Sequence, residues 1–125
     1  MKNITFGKPS ITNKELSSVI SVLKSTWLGT GPVTKKFENN FRKYKKTNYA
    51  ISVNSCTSAL YLSLKLLNIK KGDEVITTSL TFCSTVNSII HAGATPVLVD
   101  IDKDTLNINY KEIQKKINRK TKAII

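Results

Sequence analysis

The sequence predicts an α/β fold of three layers, with helices on both faces of a mostly parallel sheet. From Tyr49 onward short apolar runs alternate with helical ones, which is the rhythm of strands joined by crossover helices. The connections between these runs are short, as α/β units prefer. Two amphipathic helices come first, so an N-terminal helical segment over 1–48 and an α/β region over 49–125 are expected.

Thr12-Asn13-Lys14-Glu15 reads as a capping box, in which the Thr hydroxyl and the Glu carboxylate satisfy free N–H groups reciprocally. Leu16, Val19, Ile20 and Leu23 then repeat at helical spacing, giving a helix over about 13–24. Trp27 to Pro32 breaks it with turn residues, and a second helix follows with Phe37, Phe41 and Tyr44 on one stripe.

Ala50-Ile51-Ser52-Val53 reads as the first strand, and about 58–67 as a helix apolar nearly all round and therefore buried. Lys71-Gly72-Asp73 makes a turn into a strand at 74–78, and a helix over about 83–91 stops at Gly93. A strand at 96–100 comes next, and Asn109 then opens a helix with Ile113 and Ile117 on its inner face. Lys122-Ala123-Ile124-Ile125 starts another strand with no turn after it, so a chain cut inside a larger domain is expected.

The formal net charge of +12 invites a nucleic-acid reading, because clustered cations bind phosphates by releasing counterions. The lysines are instead spread over helix faces and ends, and the only arginines are Arg42 and Arg119, so a solvated surface with no nucleic-acid partner is expected. Cys56 and Cys83 lack the paired short spacing of a zinc site, and no metal is expected. No apolar run approaches the roughly 18 residues of a membrane span, and the N-terminus lacks an apolar leader. A soluble cytoplasmic protein with reduced thiols and no membrane partner follows.

The chemistry concentrates at Asn54-Ser55-Cys56-Thr57-Ser58-Ala59-Leu60, where a strand meets a helix. A helix N-terminus offers unpaired N–H groups and the positive end of the helix dipole, so it suits an anion. Thr57 and Ser58 add hydroxyls, although Ser and Thr also sit at helix starts simply as caps. Neither G-x-G-x-x-G nor G-x-x-x-x-G-K-[ST] occurs, so dinucleotide and P-loop readings lose ground. His91, the only histidine, sits near a helix C-terminus, where a dipole-stabilising or capping role is expected. Asp100, Asp102 and Asp104 are left unassigned. A thiolate at Cys56 would be favoured by the helix N-terminus, but no histidine lies near it in sequence.

A run of blocks, in order, resembles the DegT/DnrJ/EryC1/StrS family of pyridoxal-phosphate-dependent sugar aminotransferases. Gly7-Lys8-Pro9-Ser10-Ile11 resembles its opening, and Trp27-Leu28-Gly29-Thr30-Gly31-Pro32 with Phe37-Glu38 its "W-L-x-x-G-P…F-E" block. Ser55 to Leu60 resembles "S-G-T-x-A-L", Gly72 to Ile76 "G-D-E-V-I", and Thr81-Phe82 the "T-F" that follows. Gly93 to Val97 with Asp100-Ile101-Asp102 resembles "G-A-x-P-V-x-x-D-I-D".

The resemblance implies the N-terminal part of the large domain of a fold-type-I enzyme that binds pyridoxal 5'-phosphate and works as a homodimer. It implies that Thr57 and Ser58, with Cys56, hold the cofactor phosphate and that Phe82 stacks on the pyridine ring. Cys56 departs from the family's Gly, a residue that permits positive φ and close backbone approach. Trp27 and Gly31 are candidates for the sugar-nucleotide pocket. The implied reaction moves an amino group, from glutamate, to a nucleotide-linked keto-deoxysugar for surface polysaccharide, lipopolysaccharide or glycan. A dehydratase of the same family is the alternative, and a basic α/β nucleic-acid-binding module the alternative from another class. The Schiff-base lysine and the carboxylate partner of the pyridine nitrogen lie beyond position 125 in the family, so no catalytic residue is expected within this chain.

Overall fold

The computed structural model describes residues 7–125, which divide into two compact units between Ser52 and Val53. In the first unit α1 spans Asn13–Lys24 and α2 spans Pro32–Lys45. The capping box forms: the Thr12 N–H donates to Glu15 Oε2 at 2.8 Å, and the Thr12 hydroxyl bonds the same carboxylate. Thr12 Oγ1 also accepts from the Lys14 N–H at 3.3 Å. Gly31 caps α2 with Pro32 as its first residue, where a missing N–H costs nothing. Lys46 closes it in the left-handed conformation. Phe37 and Phe41 lie on one stripe with ring centroids 6.1 Å apart.

Ala50–Val53 is not a strand. A strand exists through a ladder with a neighbour, and this segment pairs with none among the described residues. The Ser52 N–H instead donates to Glu38 Oε1 at 2.8 Å, and Ile51 is 80% exposed.

The second unit holds α3 (Cys56–Leu66), β1 (Glu74–Thr78), α4 (Cys83–His91), β2 (Thr95–Val99), α5 (Tyr110–Lys116) and β3 (Thr121–Ile124). The sheet order is β2-β1-β3, all parallel. β1 and β2 run in step from Glu74 opposite Thr95 to Thr78 opposite Val99, whereas β3 shifts register at Glu74/Val75. The path from β1 through α4 to β2 moves one way across the sheet, and the path through α5 to β3 returns past β1. Because parallel crossovers are right-handed, that reversal puts α4 and α5 on opposite faces, with α3 packed against α4. Val75, Ile76 and Thr77 of the central strand are accordingly all fully buried. Leu64, Ile69, Val75, Ile89, Ala92 and Ala94 form the core on the α3/α4 side. Gly93 ends α4 at φ +94°, a conformation that side chains rarely adopt.

Two burial expectations are corrected. α3 begins two residues earlier than expected, at Cys56, and is not buried all round: Leu64 faces the core, while Leu66 is 80% exposed because only one face of the helix packs on α4. Ile117 does not join Ile113 on an inner helix face, since α5 ends at Lys116 and Ile117 leaves in an extended conformation.

Candidate functional site

The first turn of α3 is built by its own sequence. Ser55 is extended (φ −157°, ψ 155°) and its Oγ accepts from the Ser58 N–H at 3.1 Å, capping the helix. The Ser58 hydroxyl donates to Asn54 Oδ1 at 2.9 Å and lies 2.9 Å from Ser55 Oγ. Asn54, Ser55 and Ser58 therefore lock one another. Among the described residues nothing accepts from the N–H groups of Cys56 and Thr57, and the exposed Thr57 hydroxyl has no partner. No acidic residue sits in this turn. Two free N–H donors, a free hydroxyl and the helix dipole point outward at one end of an 11-residue helix, which is the chemistry of an anion cradle.

Cys56 is the first helical residue and does not take the positive φ that the family's Gly would permit, so the turn forms with a side chain there. Its thiol is free and exposed. Thr57 and Ser58 line a hollow of 350 Å³ together with Tyr61, Ser88 and His91. Ser88 is buried, its hydroxyl donating to the Ser84 carbonyl at 2.7 Å. Sequence reasoning had not singled out Tyr61 or Ser88. The signal for Tyr61 was present, since Thr57, Tyr61 and Leu64 recur at one helix face.

Phe82 does not line that hollow. It is the N-cap residue of α4, just past the C-terminal end of β1, and it is 76% exposed. The C-terminal ends of β1 and β2 are where the crossovers part to opposite faces, the place at which open α/β sheets bind ligands. Asp100 lies at this edge and accepts from the Ile101 N–H at 2.8 Å. Asp102 instead organises its own turn, accepting from Asp104 N, Thr105 N and the Thr105 hydroxyl; the Thr105 backbone bond is the main reason its carboxyl titrates below the usual range.

In the first unit Trp27 and Gly31 do come together. Trp27 Nε1 donates to the Thr30 carbonyl at 3.1 Å, and the buried Gly31 lies against the indole. Both border a hollow of 370 Å³. Glu38, another residue not singled out beforehand, accepts from both the Ser52 N–H and the Ser52 hydroxyl at 2.8 Å.

The sequence profile of the DegT/DnrJ/EryC1/StrS aminotransferase family matches residues 9–125. The chain belongs to that family. It is 55% identical over 118 residues, 94% of its length, to the uncharacterised protein MJ1066 of Methanocaldococcus jannaschii, and 45% identical over 122 residues, 98% of its length, to the spore coat polysaccharide biosynthesis protein SpsC of Bacillus subtilis. It spans 31% of each of these relatives. Among solved structures it superposes on Spr1654 of Streptococcus pneumoniae, assigned as a sugar aminotransferase and solved in PLP, PMP and apo forms, with a TM-score of 0.90 and 41% identity. That match covers 98% of this chain and 31% of Spr1654. A GDP-4-keto-6-deoxymannose-3-dehydratase gives a TM-score of 0.90 at 30% identity over 98% of this chain and 33% of its own. The α/β fold with its parallel sheet is thus that of the N-terminal third of the family's enzymes, as the resemblance implied.

Proposed function

We propose that this chain is the N-terminal part of a pyridoxal-phosphate-dependent aminotransferase that moves an amino group from glutamate to the keto group of a nucleotide-linked deoxysugar. Residues 1–48 form its N-terminal helical segment and residues 49–125 begin its cofactor-binding large domain. The complete protein works in the cytoplasm as a homodimer and serves the synthesis of a surface polysaccharide, lipopolysaccharide or glycan. The observation that carries the reading is the outward-facing donor set on the first turn of α3, in a chain that belongs to this family.

That donor set fits a phosphate. The N–H groups of Cys56 and Thr57 and the Thr57 hydroxyl bind it, and the Asn54–Ser55–Ser58 lock holds them in place beforehand. When bound, pyridoxal phosphate supplies the electron sink through which an amino group passes between donor and acceptor. Phe82 lays an apolar face on the ring and keeps water from it. Trp27 and Gly31 shape the pocket for the sugar nucleotide. The chain by itself is inactive, because the lysine that engages the cofactor lies outside it.

The close superposition on a 3-dehydratase supports a second reading, removal of a sugar hydroxyl by the same family. Incubating the complete protein with pyridoxal phosphate, 15N-glutamate and a nucleotide-linked 4-keto-6-deoxysugar tests both. Label in the sugar supports amino transfer, and a sugar that loses a hydroxyl without gaining nitrogen supports dehydration. An unchanged sugar, across uridine, thymidine and guanosine carriers, overturns both.

A further inference from the structure

We propose that the open face of the Trp27 indole is the stacking platform for the base of the nucleotide, an inference that rests on the sugar-nucleotide reading above. One hydrogen bond holds the indole itself and two more hold the backbone that carries it. Its Nε1–H donates to the Thr30 carbonyl at 3.1 Å, and the Trp27 N–H donates to Ser25 Oγ at 3.3 Å. The Ser25 hydroxyl in turn donates to the Val22 carbonyl of α1 at 2.7 Å, so the Trp27 backbone is tied to a helix end.

Gly31 closes one face of the ring. A Cβ there would stand 2.7 Å from Cδ1 and 2.9 Å from Cε2, and closer still to Nε1. An approach to the ring edge at Nε1 would leave Cδ1 and Cε2 distinctly farther away, so the Gly31 backbone lies over the ring plane. Trp27 is nevertheless 60% exposed, so with Gly31 over one face the opposite face is the one left for a ligand.

A core tryptophan buries both faces and a loose surface one is held by neither edge nor face. This ring has one face closed, its polar edge satisfied and one face open, which makes it a pre-organised flat apolar surface. Every nucleobase has a π-face that such a surface accepts. The adjoining hollow of 370 Å³ falls in the usual range of small-molecule clefts, about 300–1,000 Å³, and is walled by Leu28, Pro32 and Val33. Thr34 also lines it with a hydroxyl that has no partner among the described residues, one polar group for the edge of a base. The first turn of α2, which borders the hollow, carries no acid to repel phosphates.

Calorimetric titration of the complete protein with uridine 5'-monophosphate, guanosine 5'-monophosphate and ribose 5-phosphate tests the proposal in wild type, W27F and W27L. Each variant is first checked for cofactor uptake by visible absorbance. W27L is expected to weaken both nucleotides by about tenfold or more, the scale of a lost base stack, with W27F weaker by less and ribose 5-phosphate unchanged. Wild-type nucleotide affinity in W27L, or an equal loss of ribose 5-phosphate, overturns it. A protein that takes up cofactor and transfers nitrogen while W27L binds nucleotides normally overturns this inference alone. A wild type that binds no nucleotide overturns both this inference and the sugar-nucleotide reading.

Discussion

The Ser58 hydroxyl donates to Asn54 Oδ1 at 2.9 Å, across four residues that straddle the start of α3. With Ser55 accepting the Ser58 N–H, this leaves the donors ahead of Ser58 free and aimed at solvent. The cap and the cradle are therefore one construction, and removing the cap disturbs both.

Ser55→Ala removes the cap acceptor. A loss of about 1 kcal/mol in urea unfolding is expected, as for helix N-caps generally, together with weaker binding of pyridoxal phosphate. Unchanged stability would show that α3 does not depend on this bond.

Thr77→Val addresses the interior of β1. Thr77 Oγ1 is fully buried and has no hydrogen-bond partner among the described residues. Replacing the hydroxyl by a methyl of similar shape removes the cost of an unmet buried polar group, so a gain of about 1–2 kcal/mol in denaturant midpoint measurements is expected.

Gly31→Ala drives a methyl into the Trp27 indole. The ring or the turn must shift, at about 1–3 kcal/mol for overpacking, and the loss should appear in thermal unfolding together with a change in Trp27 fluorescence.

Glu38 links stability to pH. Its carboxyl is held below the usual glutamate value, first by the Ser52 N–H and then by the Ser52 hydroxyl. A lowered folded pKa stabilises the folded state above the unfolded value, about 4.3, and that stability is lost as pH falls through the lower folded value. Glu38→Gln should therefore flatten the acid limb of a stability-against-pH curve and leave its slope near pH 7 unchanged.

Much of the fold was legible because its determinants are local. The Thr12/Glu15 box, Pro32 at the start of α2, Gly93 after α4 and Asn109 at the cap of α5 each name an element boundary from adjacent residues. What sequence could not give depends on partners distant in the chain. Ala50–Val53 has the composition of a strand but finds no ladder neighbour among the described residues, and α3 has an apolar circumference but packs chiefly by one face, on α4. In the candidate site the turn was legible, since Ser55, Thr57 and Ser58 fall within four consecutive residues, and its hydroxyl lock was not. The Glu38–Ser52 contact spans 14 residues with no local pattern to announce it.

The central claim is that the first turn of α3 holds the phosphate of the cofactor. Dissociation constants of pyridoxal phosphate and of pyridoxal, measured for the complete protein in wild type and in a Thr57→Ala/Ser58→Ala variant, test it most directly. The variant is expected to lose about tenfold or more in affinity for pyridoxal phosphate, because it loses the Thr57 hydroxyl, one hydrogen bond to a charged group, and the Ser58 hydroxyl that locks the turn to Asn54, while pyridoxal is unaffected. Equal affinity of wild type and variant for pyridoxal phosphate would contradict it.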